Sequence, residues 1–358
     1  MANKATKVLR NSQLGEYVLS RRKKVGSIAA VLIATVSLVS GCSSEAGEVS
    51  KAEELTIYSG RSEEFIAPFF AQWEKNSGIK LNIRYGDSAE LAAQILEEGK
   101  NSPADLFLSQ DAGSLGAVSE AGLFMQLKEG VGSMIASKYI AADRNWIGVT
   151  GRARVFAYDP KKVTSLPSSV NDLTKPLFKS QVGIAPTNSS FQAFVTAFIA
   201  SQGEAKTRAW LEALMANDVK IYPKNGAIVE AIDKGEISIG LVNHYYIYEI
   251  SAELGREINV KNGFFAAGDI GNLINVSGAG ILASSKKHAA AEELINFLTS
   301  EESQKKFVSD TKEYSLIDNF AGPEGLPLLN EIAAPAVDLA SLKDVSKAQD
   351  LLLSVGLL

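Results

Sequence analysis

The sequence predicts an α/β protein of two lobes behind an export signal. Three observations carry that expectation. Apolar runs of four to seven residues alternate with amphipathic helical stretches in two successive sets. That β-α-β-α rhythm is the signature of a mostly parallel sheet covered by helices. Roughly 310 residues follow the signal, more than one small core needs and enough for two. The chain also opens with a segment foreign to any core.

That segment is Met1 to Cys42. Arg21-Arg22-Lys23-Lys24 is a positive region, and Val25 to Ser40 is rich in Ala, Val, Ile and Leu. A positive flank, a short apolar stretch and small residues before a cleavage point read as a secretory signal. Val39-Ser40-Gly41-Cys42 resembles a bacterial lipobox. Its Cys would become the lipidated N-terminus. The alternative is a transmembrane anchor, for which Val25–Gly41 is marginally short. Ser43 to Glu53 is small and polar and reads as a tether.

The first lobe is expected over 54–150 and 271–318. Leu55-Thr56-Ile57-Tyr58 is a strand and Ser59-Gly60-Arg61 a turn. The following helix places Phe65, Ile66, Phe69, Phe70 and Trp73 on one stripe, and Ser77-Gly78 ends it. Ile79 to Tyr85 alternates as a second strand. Gly86-Asp87-Ser88 then turns into a helix carrying Leu91 and Ile95. Pro103 to Ser109 is a third strand, with a helix at Ala112–Ala121.

The second lobe is expected over 151–270 and 319–358. Trp146-Ile147-Gly148-Val149 and Arg154-Val155-Phe156-Ala157-Tyr158 are two strand-like runs suited to carry the chain across. Val182 to Ala185 is a strand; Pro186 to Ser190 turns into a helix bearing Phe191, Phe194 and Phe198. A further helix holds Trp210, Leu211 and Leu214. Asn225-Gly226 opens a helix with Ile228 and Ile232, and Ile237 to Val242 alternates as a strand. Gly278 to Leu282 reads as a strand returning to the first lobe, followed by a helix at Ala289–Phe297.

Composition excludes several classes of function. Net charge is −5 with no basic block after the signal, so nucleic acid is not an expected partner. Cys42 is the only cysteine. Once lipidated, it leaves no thiol for disulfides, Cys-type zinc sites or nucleophilic catalysis. Two histidines, His244 and His288, are too few for a His-rich zinc or manganese site. No Walker A, HExxH or GxSxG motif is present. An enzyme is not expected.

The positive signal is Asn243-His244-Tyr245-Tyr246 at the end of an apolar strand. Open α/β sheets bind ligands at the carboxyl ends of strands. Phenolate oxygen is a hard anionic donor suited to ferric iron. The plain alternative is two half-buried aromatics on opposite faces, since adjacent strand residues point apart. Both phenols can hold one ion only where the strand has ended and a helix start re-aims one of them. Ile247 to Leu254 has the pattern of such a helix.

Three other turns suit an anion. Asn188-Ser189-Ser190, Asn225-Gly226 and Asn243 each precede a helix start or the Tyr pair, where free N–H groups and a partial positive charge gather. Singly, each is ordinary capping. Arg61 sits at a strand-to-helix turn where a guanidinium can clamp a planar anion, or simply face solvent. Two tyrosinates leave one positive charge on Fe³⁺. A bound carbonate or phosphate overbalances it, and Arg61 or the helix starts would offset the excess.

These motifs, in this order, resemble the periplasmic ferric-iron-binding proteins, the substrate-binding components of iron(III) ABC importers. The resemblance runs from Leu55–Arg61 through Gly86–Ala92, Pro103–Phe107, Gly151–Val155 and Asn243–Tyr246 to Ser277–Gly280. It implies the hinged type II binding-protein fold with ligand between the lobes. It assigns Tyr245 and Tyr246 to the metal, and Asn188, Ser189, Ser190, Asn225, Asn243 and Arg61 to the synergistic anion. It implies a monomer on the outer face of the membrane, serving an ABC permease and its ATPase. Some members carry a His where this chain has Ser62, a Glu where it has Gln110, and a third Tyr where it has Phe191. Gln110 and Asp111 are the remaining candidates for a metal contact from the first lobe. The rival within binding proteins is a receptor for an oxyanion or small organic phosphate. The rival from another class is a surface hydrolase, for which no nucleophile–base pair is present.

Overall fold

The computed structural model describes residues 54–358. The leader, the tether and Cys42 lie outside the described residues. Nine strands and ten helices follow in order: β1 (Glu54–Ser59), α1 (Glu63–Ser77), β2 (Lys80–Tyr85), α2 (Ser88–Glu98), β3 (Leu106–Ser109), α3 (Ala112–Glu120), β4 (Ile147–Tyr158), β5 (Val182–Ile184), α4 (Ser189–Gln202), α5 (Glu204–Ala216), β6 (Lys220–Ile221), α6 (Asn225–Asp233), β7 (Ile239–Asn243), α7 (Tyr246–Glu253), β8 (Lys261–Gly263), β9 (Ile274–Ile281), α8 (His288–Leu298), α9 (Glu301–Lys306) and α10 (Val345–Ser354).

The strands run in the order β2-β1-β3-β9-β4-β7-β5-β6, with β8 also beside β4. In lobe 1, β1 is parallel to β2 and β3. In lobe 2, β5 is parallel to β6 and β7. The two sets meet through antiparallel β4 and β9. The two strand-like runs expected around residues 146–158 are one unbroken strand. Its first half, Ile147–Ala153, pairs with β9, and its second half, Arg154–Tyr158, pairs with β7. One strand thus belongs to both lobes, and β9 returns beside it. The short β8 was not expected from sequence; three residues with two of them polar carry no alternation to read.

Burial follows the predicted periodicities. Edge strand β2 alternates, while β3 and β9 are buried throughout, as central strands covered on both faces must be. In α1 the stripe Ile66, Phe69, Phe70 and Trp73 is buried, and Phe69 stacks on Phe307 at 3.8 Å. Gly78 closes that helix with φ 75°, a conformation glycine adopts without a Cβ penalty, and its N–H donates to Glu74 O. Asp87, Asp111 and Asn188 cap α2, α3 and α4 through their side-chain oxygens. Phe191, Phe194, Phe198 and Trp210 form one aromatic cluster between α4 and α5, with ring centroids 5.2–5.9 Å apart.

Candidate functional site at the lobe junction

The strand carrying the phenols ends where chelation requires. β7 stops at Asn243, Tyr245 already has helical dihedrals (φ −76°, ψ −18°), and α7 begins at Tyr246. Strand alternation no longer applies, so the two rings lie side by side. Their centroids are 4.5 Å apart with planes at 30°. Tyr245 is buried and Tyr246 half-buried. Phe65 of α1, in lobe 1, meets Tyr245 edge-on at 6.4 Å. Burial, reinforced by the neighbouring Tyr245, pushes the Tyr246 phenol well above its ordinary range.

His244 holds this turn in place. It is fully buried, its Nδ1 accepts the Ala153 N–H at 3.2 Å, and its Nε2 lies 2.6 Å from Lys312 O. The neutral ring with the proton on Nε2 satisfies both contacts. Burial pushes its pKa down to about 4. Both nitrogens face backbone, so His244 positions the phenols rather than adding a donor.

Beside the phenols lies a polar cradle centred on the Ser190 hydroxyl. Arg154 Nη1 donates to it at 3.1 Å and Asn225 Nδ2 at 3.0 Å, while it donates to Asn188 Oδ1 at 2.6 Å. Asn188 Oδ1 also accepts the Ser190 N–H at 3.0 Å. Ser189 stands exposed as the first residue of α4. The Asn225 Oδ1 is buried without a partner among the described residues. Asn243 is buried and lines a narrow pocket with Arg152, Arg154, Ser190, Leu273 and Asn275. Its free space of about 10 Å³ is on the order of one water molecule.

Arg152 and Arg154 were not singled out as site residues from sequence. Both are buried on β4, two residues apart and hence on one face. Arg154 lies 5.5 Å from the Phe191 ring and 5.4 Å from that of Phe194. Burial lowers its pKa to about 9, with the Tyr246 and Tyr245 phenols acting in the opposite direction. The guanidinium therefore stays charged at neutral pH. The available signal was charge at alternate positions of an otherwise apolar strand, which is costly unless something pairs with it.

Lobe 1 presents a different picture. Arg61 is buried, and its Nη2 donates to Glu313 Oε2 at 2.9 Å. The planar face expected to clamp carbonate meets a carboxylate of the chain itself. Gln110, in the amide orientation that satisfies both ends, donates to Gly60 O at 3.2 Å and accepts from Arg152 Nη1 at 3.1 Å. Asp111 caps α3: its Oδ1 accepts the Ser114 N–H at 2.8 Å and its Oδ2 the Ser114 hydroxyl at 3.1 Å. Its pKa is raised by burial, against the pull of Ser114 and Arg152. Among the described residues, no group of three His, Cys, Asp or Glu side chains is arranged to hold a metal.

A cleft of about 280 Å³ opens beside Tyr245, between Phe65, Glu249, Glu253 and the segment Asp310–Lys312. Two larger hollows, about 540 and 660 Å³, lie along the C-terminal segment around 329–343, away from the phenols. The smaller cleft is the one that Tyr245 lines, and the polar cradle around Ser190 borders the separate narrow pocket of Arg154 and Asn243.

Residues 101–336 match the bacterial extracellular solute-binding protein family. The chain belongs to that family. Within it, the chain is 31% identical over 339 residues to the Fe(3+)-binding periplasmic protein of Serratia marcescens, spanning 94% of this chain and 99% of that one. It is 30% identical over 309 residues to the major ferric iron-binding protein of Neisseria gonorrhoeae, spanning 85% and 93%. Among solved structures, iron-bound HitA from Pseudomonas aeruginosa superposes with a TM-score of 0.78 at 33% identity, covering 85% of this chain and 99% of that one. Apo ferric ion-binding protein A of Pasteurella haemolytica gives 0.76 at 27% identity, covering 86% and 98%. The family membership and the type II two-lobe fold implied by the sequence both hold.

Proposed function

We propose that this protein captures ferric iron in the interlobe cleft through the phenolates of Tyr245 and Tyr246, together with a small oxyanion. The observation that carries the reading is the end of β7 at Asn243, which turns two adjacent tyrosines into a stacked pair instead of an opposed one. The names of the Serratia, Neisseria and Pseudomonas relatives supply the metal. Two phenolates leave a single positive charge on Fe³⁺. The carbonate or phosphate that completes the site meets Arg154, Ser190, Asn225 and Asn243, with Asn188 and Ser189 at the start of α4.

Iron is cargo here, not a resident cofactor. Hinge motion about β4 and β9 would close and open the cleft. Delivery to an ABC permease and its ATPase, anchoring through lipid on Cys42 and a monomeric state complete the proposal. The protein binds and releases; it performs no turnover.

Visible absorption tests the metal site. Iron-loaded protein should show a tyrosinate-to-iron charge-transfer band that Tyr245→Phe or Tyr246→Phe abolishes. Iron-loaded wild type without such a band would refute the reading.

A further inference from the structure

We infer that Glu313 is a specificity-determining residue for the anion: its carboxylate occupies Arg61 as an internal oxyanion and confines the exogenous anion to the Arg154 side of the cleft. The inference rests on the reading of the cleft as an iron-and-anion site. It names the residue that sets which arginine the anion meets.

The geometry begins on β4. Thr150, Arg152 and Arg154 occupy alternate positions along the strand that joins the lobes. At one end, the Thr150 hydroxyl donates to Glu313 Oε2 at 3.2 Å. In the middle, Arg152 Nε faces Glu313 Oε1 at 4.0 Å. At the other end, Arg154 donates to Ser190 of the cradle. Glu313 Oε2 also accepts from Arg61 and, at 3.3 Å, from the Thr311 hydroxyl. Glu313 is 1% exposed, Arg61 5% and Arg152 3%. A carboxylate with a guanidinium N–H and the Thr150 hydroxyl on one oxygen, the Thr311 hydroxyl (shared with Phe307 O) near it, and a second guanidinium beside the other is placed as a bound oxyanion would be.

Charge accounting explains why the anion goes elsewhere. Arg61, Arg152 and Arg154 bring three buried guanidiniums to the junction. Glu313 answers Arg61 directly. Asp111 reaches Arg152 only through space, its oxygens being committed to Ser114. Among the described residues, Arg154 has no carboxylate hydrogen-bonded to it, only the Ser190 hydroxyl and the Leu241 carbonyl. Buried charge requires a counter-charge. The uncompensated guanidinium is therefore Arg154, at the pocket it shares with Asn243. Glu313 Oε1 and Arg152 Nε are both without a hydrogen-bond partner among the described residues. Arg152 stands between the internal and the exogenous anion.

The segment bearing Glu313 is tied to the metal side as well. Lys312, at φ 57°, gives its carbonyl to His244, and Tyr314 packs its ring 4.8 Å from the His244 ring. The residue that fills Arg61 is thus flanked by the two that hold the turn before the phenols.

Calorimetric titration of iron-free protein with inorganic phosphate tests this, comparing wild type, Glu313→Gln and the double variant Arg61→Met/Glu313→Gln. Near-UV circular dichroism reports whether each is folded. Glu313→Gln keeps the shape and removes one negative charge. It should bind phosphate about tenfold more tightly, because Arg61 is released. The double variant removes one charge of each sign and should lie within about twofold of wild type. Unchanged, weaker or absent phosphate binding by folded Glu313→Gln would overturn the inference, as would a tenfold loss in the double variant, which is what a direct Arg61 clamp predicts. Should Glu313→Gln fail to fold, the double variant alone decides on the same limits. Loss of the parent reading shows separately, as iron-loaded wild type without a charge-transfer band.

Discussion

The two walls of the cleft use similar residue types to opposite ends. On the lobe 1 wall, Arg61, Gln110 and Asp111 are consumed by partners of the chain itself: Glu313, Gly60 with Arg152, and Ser114. On the lobe 2 wall, the phenols stand together at a helix start, and Arg154, Ser190 and Asn225 converge without a carboxylate among them. The difference lies in charge: a carboxylate already answers Arg61, whereas Arg154 meets only neutral hydrogen-bond partners among the described residues. Ion pairing occupies Arg61 on lobe 1, and the end of β7 at Asn243 sets the two phenols side by side on lobe 2. Lobe 1 contributes the edge-on contact of Phe65 with Tyr245 and the Arg61–Glu313 pair.

Substitutions on lobe 2 should therefore have the largest effects. Tyr245→Phe or Tyr246→Phe should lower iron affinity by more than about 100-fold in competition with citrate, since even supporting residues around a metal cost 10–100-fold. Equal tolerance of both changes would break the contrast between the walls. Affinity should also fall with pH. Burial holds the Tyr246 phenol above its ordinary range, so iron bound there must displace its proton. Displacing that proton makes binding weaken by about tenfold per unit fall in pH, which the same competition followed from pH 8 to 6 would show.

His244→Ala should cost about 2–4 kcal/mol of stability in denaturant unfolding, through a lost buried ring and two orphaned backbone groups. The pH dependence of that contribution has a definite sign. The folded value near 4 lies below the ordinary 6.5. The unfolded chain takes up the proton first, so stability present above pH 6.5 is lost as pH falls toward 4. Ser190→Ala removes the hub of the cradle and should weaken phosphate binding by about tenfold, read by calorimetry on the iron-free protein.

The smallest effects belong to lobe 1. Gln110→Ala and Asp111→Asn should change iron affinity by less than about threefold, within the non-additive scatter expected away from the metal. Asp111→Ala should instead cost about 1 kcal/mol of stability through the lost cap of α3. A large loss of iron affinity in either position would mean that lobe 1 reaches the metal after all.

The sequence carried the elements better than the site. The stripe of α1, the alternation of β2 and the Gly78 stop are local signals and are found where periodicity places them. The joining of two runs into β4 depends on pairing with β7 and β9, which no local window contains. The side-by-side placement of Tyr245 and Tyr246 was legible because strand and helix patterns abut there. Arg61 was legible as a candidate, but its partner Glu313 lies 252 residues away. Ala153 and His244 are likewise 91 residues apart. Long-range pairing decided which polar groups remained available, and that information appears only on folding. Arg152 and Arg154 had a signal, charge at alternate positions of an apolar strand, that composition alone did not weight.

The most direct test of a one-sided grip is a crystal structure of the iron-loaded protein with anomalous scattering at the iron edge. The predicted result is a single iron at bonding distance from both the Tyr245 and Tyr246 oxygens, an oxyanion between it and Arg154, and no side chain of residues 54–150 in its coordination shell. Iron bound by Gln110 or Asp111, or lying away from the phenols, would contradict it.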